Sequence, residues 1–505
     1  MPGALWRKFE ATSRRFATRS ALVQGPRDVS FGELRSAALA GATDLAAAGV
    51  CPGDRCLFWA SNSAELAASI LACWRLGAIV GIVNDEAPAT HFLHAAGVLQ
   101  PVLCIVESRL AEAAERAVTT RIHVLQPTSA ECLASTGPGL AHDHEPASVF
   151  FTSGSTGAPK GVTQSHANLV AGCQMVAGHL GLTIEDRILC PIPWSFDYGY
   201  GQLLTTVLLG VTQILPEARG GVAICNAISS GKPTVFAGIP SIFALLTRGV
   251  SPLRGTDLRS LRLIMNTGGK IPPAIFADMA GVFNGAKFSL NYGMTETYRT
   301  AGLPVDLADR YPESVGFAYP GVSVAIIRED GTEAAIDEMG EIVHRGVGVF
   351  LGYWGDPSAT EKVRRPDPLW RYPGVDAPKA VFSGDLGWKD ASGLLYVKCR
   401  RDRLVKSMGV RVSPDEVEEL LRGTGLVADA IVFGLPHDLI GEQVVAAVVA
   451  ADEGSDPLPE LKAAARRIMS PYMQPRAYRS FQSFPLTPNG KPDVPRIRAL
   501  MLDDR

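Results

Sequence analysis

The chain has 505 residues, 47% of them hydrophobic and 20% charged, with a net charge of −3. That composition supports large buried cores and argues against a disordered chain, and the charge balance leaves no footprint for nucleic acid. Length alone allows about two to four domains.

The opening "MPGALWRKFEATSRRFATRSAL" is arginine-rich. It reads either as an organelle presequence or as an amphipathic first helix with Leu5, Phe16 and Leu22 along it. Glu10 interrupts the basic run and no apolar signal core follows, so the helix is expected. "SFGELRSAALAGATDLAAAGV" opens with Ser30 and Glu33 at capping-box spacing and continues with helical periodicity. "AASILACWRLGAIVGIV" carries Arg75 in its middle and is too short to span a membrane; it reads as a buried helix running into a buried strand. "SVFF" reads as a strand and "SHANLVAGCQMVAGHL" as a helix after it. "RILCPIP" and "VTQILP" are short strands bounded by turn residues. "SLRLIMNTGG" and "KFSLNYG" each read as a strand ending in a glycine loop. Such alternation predicts α/β layers with ligands at the carboxyl ends of strands.

From about residue 315 the pattern becomes β-rich, with Asp330-Gly331 as a hairpin signal. Beyond about 401 a separate α+β region is expected. Ser413, Pro414 and Glu416 there occupy N-cap, N1 and N3 of a helix, "ADAIVFGLPHD" and "EQVVAAVVA" are strands, and "LPELKAAARRIMS" is a helix. Nine cysteines with no CxxC pair read as reduced core thiols, which puts the expected location in the cytoplasm.

The chemistry concentrates in "TSGSTGAPKG". Thr152, Ser153, Ser155 and Thr156 offer hydroxyls, Gly154 and Gly157 let backbone N–H groups approach an anion, and Lys160 supplies charge. The Walker pattern fails, because Pro159 precedes Lys160 and Gly161 follows it. The loop resembles the phosphate-binding loop of the AMP-forming adenylation superfamily of acyl-CoA synthetases, peptide-synthetase adenylation domains and luciferases. "NYGMTET", "SGDLGWKDASGLLYVKCRRDRLVKSMGVRVSPDEVE", "SPYMQP" and "PLTPNGK" resemble further motifs of that superfamily, in the expected order over about residues 20–495.

The resemblance implies an α/β fold: a large N-terminal domain of α/β layers, residues 1–401 with a β-rich subregion at about 315–401, and a small mobile α+β domain, 402–505. It implies ATP, Mg²⁺ and coenzyme A as cofactors. Thr152, Ser153 and Lys160 would hold the outer phosphates, with Gly154, Ser155, Thr156 and Gly157 in the same cradle. Tyr292 would stack on adenine, Asn291 would bond its amino group, and Gly268, Gly269 and Gly293 would lie beside it. Thr295 would touch the α-phosphate and Glu296 would bind Mg²⁺. Asp385 would accept from both ribose hydroxyls, with Arg400 beside it. Asp402 would be the hinge, Gly409 would border the pantetheine arm, Arg411 would face phosphate, and Lys491 would offset repulsion between carboxylate and α-phosphate. Cys399 and Arg403 depart from the usual hinge pattern.

"PWSFDYGYGQ" resembles the substrate-pocket motif, with Trp194, Phe196 and Asp197 at the acid. An aspartate there either pairs with a substrate ammonium or is satisfied by a nearby tyrosine hydroxyl or backbone N–H. The aromatics suit a small or medium carboxylic acid. Coenzyme A is the first expectation for the acceptor. A carrier-protein phosphopantetheine arm and a non-thiol acceptor are the alternatives. A non-catalytic nucleotide sensor is the reading from another class, opposed by the presence of Lys160, Glu296, Asp385 and Lys491 together.

Overall fold

A computed structural model describes residues 3–126, 141–153, 159–269, 271, 273–308, 310–407, 410–437, 441–452, 454–487 and 491–502. They form two compact units. One comprises Met1–Ala325, Val343–Ser383 and Ala391–Leu395; the other comprises Ile326–Ile342, Gly384–Asp390 and Tyr396–Arg505. The sequence reading places one cut near 401. The observed division is discontinuous instead, and Asp385 and Arg400 fall in the second unit.

The first unit contains two large sheets. A seven-stranded sheet runs in the order Gly352–Tyr353, Pro159–Ser165, Pro146–Ser153, Ile79–Asn84, Arg55–Ala60, Leu103–Val106 and Ile122–Val124. A nine-stranded sheet runs Phe317–Ala318, Ala301–Gly302, Lys287–Tyr292, Leu263–Asn266, Val235–Gly238, Arg187–Leu189, Thr212–Leu215, Ser20–Gln24 and Arg27–Ser30. Their central strands are parallel, for example Val235–Gly238 with Leu263–Asn266. Ile79–Asn84 and Leu103–Val106 are buried throughout, as expected of parallel strands covered on both faces.

One apolar cluster takes residues from both sheets, including Leu22, Leu215, Phe58, Val80 and Phe150. A first helix forms at Ala4–Arg15 and buries Leu5, Trp6 and Phe9 in that cluster, but it is shorter than expected, with Phe16 at its C-cap and Leu22 in the strand Ser20–Gln24. It also explains the arginine in the apolar run: Arg75 is buried, with its guanidinium 5.2 Å from the centre of the Trp6 ring. A cation over an indole face recovers part of what burial costs it. The helix Phe31–Ala47 starts where its capping box predicts, with Glu33 N donating to Ser30 Oγ at 3.2 Å and Ser30 N donating to Glu33 at 2.8 Å.

The glycine-rich loop joins two antiparallel strands, not a strand directly to a helix. Pro146–Ser153 pairs with Pro159–Ser165, which puts Thr152 opposite Lys160, before the helix His166–His179 begins.

In the second unit, Gly441–Ala450 pairs with Val427–His437 and Val405–Ser407, and with Ala477–Phe481 in parallel. Val444, Ala446 and Val448 pack toward the helices Pro414–Gly423 and Leu458–Ile468, while Val445 and Ala447 pack toward Val494–Leu502. Alternate residues face opposite sides of a strand, so "VVAAVVA" is apolar without a break because both faces are covered. Among the described residues no helix is long and apolar enough to cross a membrane.

Gly199 lies in the first turn of the helix Asp197–Leu209, where a Cβ would sit 2.2 Å from the carbonyl oxygen of Pro193 and 2.7 Å from that of Ile192. Alanine is the better helix former by about 1 kcal/mol, but rigid backbone blocks it here. Gly199→Ala is therefore expected to destabilise the protein by about 1–3 kcal/mol, read as a lower denaturant midpoint. An unchanged or higher midpoint would show that this entry into the helix can relax.

Candidate active site

Asp197 is the first residue of its helix and is buried. One carboxylate oxygen accepts from Thr295 Oγ1 at 3.1 Å and the other from the Arg299 guanidinium at 3.1 Å. Arg299 is only 5% exposed, so both charges lie out of water and depend on each other. Burial works against the arginine's charge, but Asp197 and the neighbouring tyrosines outweigh it and hold its proton more firmly than usual. Its guanidinium lies 4.9 Å from the Tyr198 ring centre and 5.5 Å from that of Tyr298.

Neither sequence reading of the aspartate named these partners. Tyr198 donates to the Met265 carbonyl at 3.1 Å, and Tyr200 bonds Ser148 at 2.8 Å. Asp197 is neutralised by Arg299, which the sequence reading passed over although it stands four positions after Thr295. Trp194, expected at the acid, lies in the core. It has no exposed surface, and its backbone N–H is held by Asn62 at 2.8 Å. Tyr198 and Tyr200 are also buried. Of these four aromatics only Phe196, just before the helix, is partly exposed.

Thr295 and Glu296 belong to a tight turn that follows the strand Lys287–Tyr292. Thr300 N bonds the Tyr292 carbonyl at 2.9 Å, Thr297 N bonds that of Met294 at 2.9 Å, and the Thr297 and Thr300 hydroxyls meet at 3.0 Å. The turn needs Gly293, where a Cβ would lie 2.8 Å from Arg299 Cα. It also holds Tyr298 at φ 62°, a costly conformation for a bulky residue. Packing enforces it: a Cβ on Gly172 would sit 2.5 Å from the Tyr298 ring. His344 braces the turn through Thr300 at 3.1 Å while its other ring nitrogen meets the Val347 carbonyl at 2.7 Å. The Val347 carbonyl can only accept, so Nε2 carries the proton, and burial lowers the ring's pKa to about 4.

The Thr295 carbonyl accepts from Gln164 at 2.8 Å and the Glu296 carbonyl from Phe350 N at 3.0 Å. The buried Glu296 carboxylate accepts from the Tyr353 hydroxyl at 2.7 Å. Lys160 Nζ lies 5.0 Å from the centre of the same tyrosine ring. Lys160, Glu296, Thr295 and Asp197 are thus drawn into one region by Tyr353 and Arg299, neither of which the sequence reading named.

Asn291 differs from expectation. Its Nδ2 donates to the carbonyls of Asn266 at 3.0 Å and Ser289 at 3.2 Å, and its Oδ1 accepts from the Tyr319 and Ser289 hydroxyls. An amide has two donor hydrogens and two acceptor positions, so this side chain is fully committed within the protein and shapes the strand end. Tyr292 ends that strand. Gly268, at φ 82°, and Gly269 are exposed beyond Asn266. Gly154, Ser155, Thr156 and Gly157 lie outside the described residues, as do the side chain of Ser153 and all of Gly409.

In the second unit, Arg400 Nε lies 3.3 Å from an Asp385 carboxylate oxygen. Glu341 braces this pair of strands, accepting from Gly384 N at 3.0 Å and pairing with Arg401 at 3.1 Å. Arg403, an atypical residue at its position, pairs with Asp415 and the buried Glu418, each at 2.6 Å. Lys491 is exposed beside a narrow backbone bridge in which Thr487 N donates to its carbonyl at 2.6 Å. The backbone of Asp402 lies in a short 3₁₀ turn and that of Arg411 in the strand Val410–Val412; their side chains lie outside the described residues.

A family model described as "AMP-binding enzyme" matches residues 9–354, and one described as "AMP-binding enzyme C-terminal domain" matches residues 416–491. The chain belongs to the AMP-binding enzyme family. A long-chain-fatty-acid–CoA ligase of Bacillus subtilis is 30% identical over 383 residues, covering 74% of this chain and 65% of that relative, just under two thirds of its length. A feruloyl-CoA synthase of an Amycolatopsis species is 29% identical over 500 residues, covering 94% of each chain. The solved structure of Bacillus subtilis o-succinylbenzoate CoA synthetase, in complex with its acyl-adenylate intermediate, superposes with a TM-score of 0.85 at 25% identity, covering 99% of this chain and 98% of that one. As a member of the AMP-binding enzyme family, the chain is an AMP-forming ligase with the mixed α/β fold.

Two outcomes follow from this geometry. Asp197→Asn leaves Arg299 buried without its counter-charge and is expected to cost about 3–5 kcal/mol. Adding Arg299→Met should restore part of that loss, a coupling that a double-mutant cycle of unfolding free energies measures directly. Strict additivity would mean the two side chains do not depend on each other. The second outcome concerns acid. A histidine whose folded pKa is depressed contributes stability above its unfolded pKa of about 6.5, and that stability is lost as pH falls toward about 4. His344→Gln should therefore lose less stability than the parent between pH 6.5 and 4. Parallel profiles would exclude His344 as a contributor to acid unfolding.

Proposed function

We propose that this AMP-binding enzyme activates a small or medium carboxylic acid with ATP and passes the acyl group to the thiol of coenzyme A. The observation that carries the reading is the latched turn holding Thr295 and Glu296 side by side, tied to Asp197 by Arg299 and to Lys160 by Tyr353. A carboxylate oxygen attacks the α-phosphorus, the bond to the bridging oxygen breaks, and pyrophosphate leaves. The thiol sulfur, losing its proton, then attacks the acyl carbon and AMP departs.

In this reading Thr152, Ser153 and Lys160, with the loop Gly154–Gly157, hold the outer phosphates, and Thr295 meets the α-phosphate. Tyr292, Gly268, Gly269 and Gly293 border the base, and Asp385 and Arg400 receive the ribose. Glu296 would hold Mg²⁺. Among the described residues no group of three or more His, Cys, Asp or Glu could enclose a metal. That fits an ion taking one or two carboxylates and completing its shell with phosphate and water; bound there, it would offset phosphate charge. Residues 402–505 are proposed to turn about Asp402 between half-reactions, bringing Lys491 into play for adenylation and Gly409 and Arg411 for the thiol step.

The neutralised Asp197 supports an acid that needs no amino group. The named acids of two relatives, feruloyl and o-succinylbenzoyl, support medium size. The eight cysteines among the described residues are free thiols, seven of them buried, which supports a reducing compartment such as the cytoplasm.

Pyrophosphate exchange across a broad panel of acids, followed by mass spectrometry of products formed with coenzyme A, tests the reading. Acid-dependent exchange and an acyl-CoA product are expected. ATP binding with no exchange for any acid would leave only a nucleotide sensor. Lys491→Ala should reduce adenylation strongly while sparing thioester formation from a supplied acyl-adenylate. Equal loss in both half-reactions would oppose that division of labour.

A further inference from the structure

Tyr353 joins two groups that the proposed mechanism uses separately. It lies in the two-residue strand Gly352–Tyr353, whose partners Val162 and Thr163 are on the strand that carries Lys160. Its backbone is fixed on both sides. Tyr353 N donates to Thr360 Oγ1 at 2.8 Å, and Gly352 holds φ 147° in a place where a Cβ would lie 2.9 Å from Thr360 Cγ2. The ring packs edge-on against Phe350, with centroids 5.1 Å apart. Phe350 N in turn holds the Glu296 carbonyl at 3.0 Å, while the Tyr353 hydroxyl holds the Glu296 carboxylate at 2.7 Å. One short segment therefore grips Glu296 by both main chain and side chain, and Tyr353 presents its ring face to Lys160 Nζ 5.0 Å away.

We infer that Tyr353 is a positioning residue: its hydroxyl aims the Glu296 carboxylate for the divalent cation, and its ring aims Lys160 for the nucleotide phosphates. The inference rests on the proposed roles of Glu296 and Lys160. A hydrogen bond to a metal-binding carboxylate fixes its rotamer before the ion arrives, and loss of such an outer partner typically weakens metal affinity by about 10–100-fold. An ammonium over an aromatic face is held without being neutralised, so its charge remains available to phosphate.

The two halves of the inference separate by substitution. Tyr353→Phe removes only the hydroxyl and keeps the ring; Tyr353→Leu removes both. The full chain is titrated with Mn²⁺ in the presence of a non-hydrolysable α,β-methylene ATP, and bound Mn²⁺ is read by electron paramagnetic resonance. Nucleotide affinity without metal is measured in parallel by calorimetry in EDTA, so neither readout needs the acid. Tyr353→Phe should weaken Mn²⁺ binding about tenfold or more with metal-free nucleotide affinity unchanged. Tyr353→Leu should weaken both. Wild-type Mn²⁺ affinity in Tyr353→Phe, with Glu296→Gln clearly impaired, would overturn the role of the hydroxyl. Wild-type metal-free nucleotide affinity in Tyr353→Leu would overturn that of the ring. Wild-type Mn²⁺ affinity in Glu296→Gln would instead overturn the reading of Glu296 on which the inference stands.

Discussion

The buried ion pair between Asp197 and Arg299 is the constraint from which the candidate site is built. Two charges removed from water are stable only if they meet, and here they arrive from chain segments about a hundred residues apart. The pair fixes the start of the helix Asp197–Leu209 against the turn that carries Thr295 and Glu296. The tight geometry of that turn follows from the same demand. Gly293 admits close backbone approach, Tyr298 accepts a left-handed conformation, and Gly172 leaves room for its ring. Each feature is unfavourable or neutral in isolation and makes sense as support for delivering Arg299 to Asp197.

The opposite side of the turn is held by softer means. Gln164 and Phe350 take its carbonyls, and Tyr353 takes the Glu296 carboxylate. Gln164 lies on the strand after the glycine-rich loop, Tyr353 on the short strand paired with it and Phe350 just before that strand, so the sheet that presents Lys160 also orients Glu296. The loop closes an antiparallel hairpin in which Thr152 faces Lys160 across the ladder. The strand fixes the backbone of Lys160, and the Tyr353 ring 5.0 Å from its ammonium limits where the flexible side chain reaches.

In the second unit, the departures from the family's hinge pattern have structural partners. Arg403 stands where an acidic residue is common, and it satisfies both Asp415 and the buried Glu418. Glu418 also accepts from Val432 N at 2.9 Å, so the arginine completes a network joining helix and sheet. Cys399 is buried, and burial raises its thiol pKa.

Much of this protein could be read from local sequence. The capping box at Ser30, the N-cap at Ser413, the strands ending in glycine loops and the continuous apolar run of a strand covered on both faces depend on neighbours a few residues away. So did the family, because its motifs are contiguous. Partnership across the fold was not legible. Nothing near "SFDYG" says that its aspartate is neutralised by an arginine a hundred positions later. Nor does anything near "GYW" say that its tyrosine reaches Glu296. Trp194, Tyr198 and Tyr200 looked like pocket walls, yet they are core, because an aromatic side chain is equally at home in either place and only packing decides which. Asn291 had the right chemistry for a base, but its four hydrogen-bonding positions were already taken by atoms brought close in folding. The sequence alone determined which chemical groups the protein possesses and the order of its elements. The tertiary structure decided which groups are spent on one another, because charge neutralisation and hydrogen-bond satisfaction are settled by distance in space, and that distance exists only once the chain has folded.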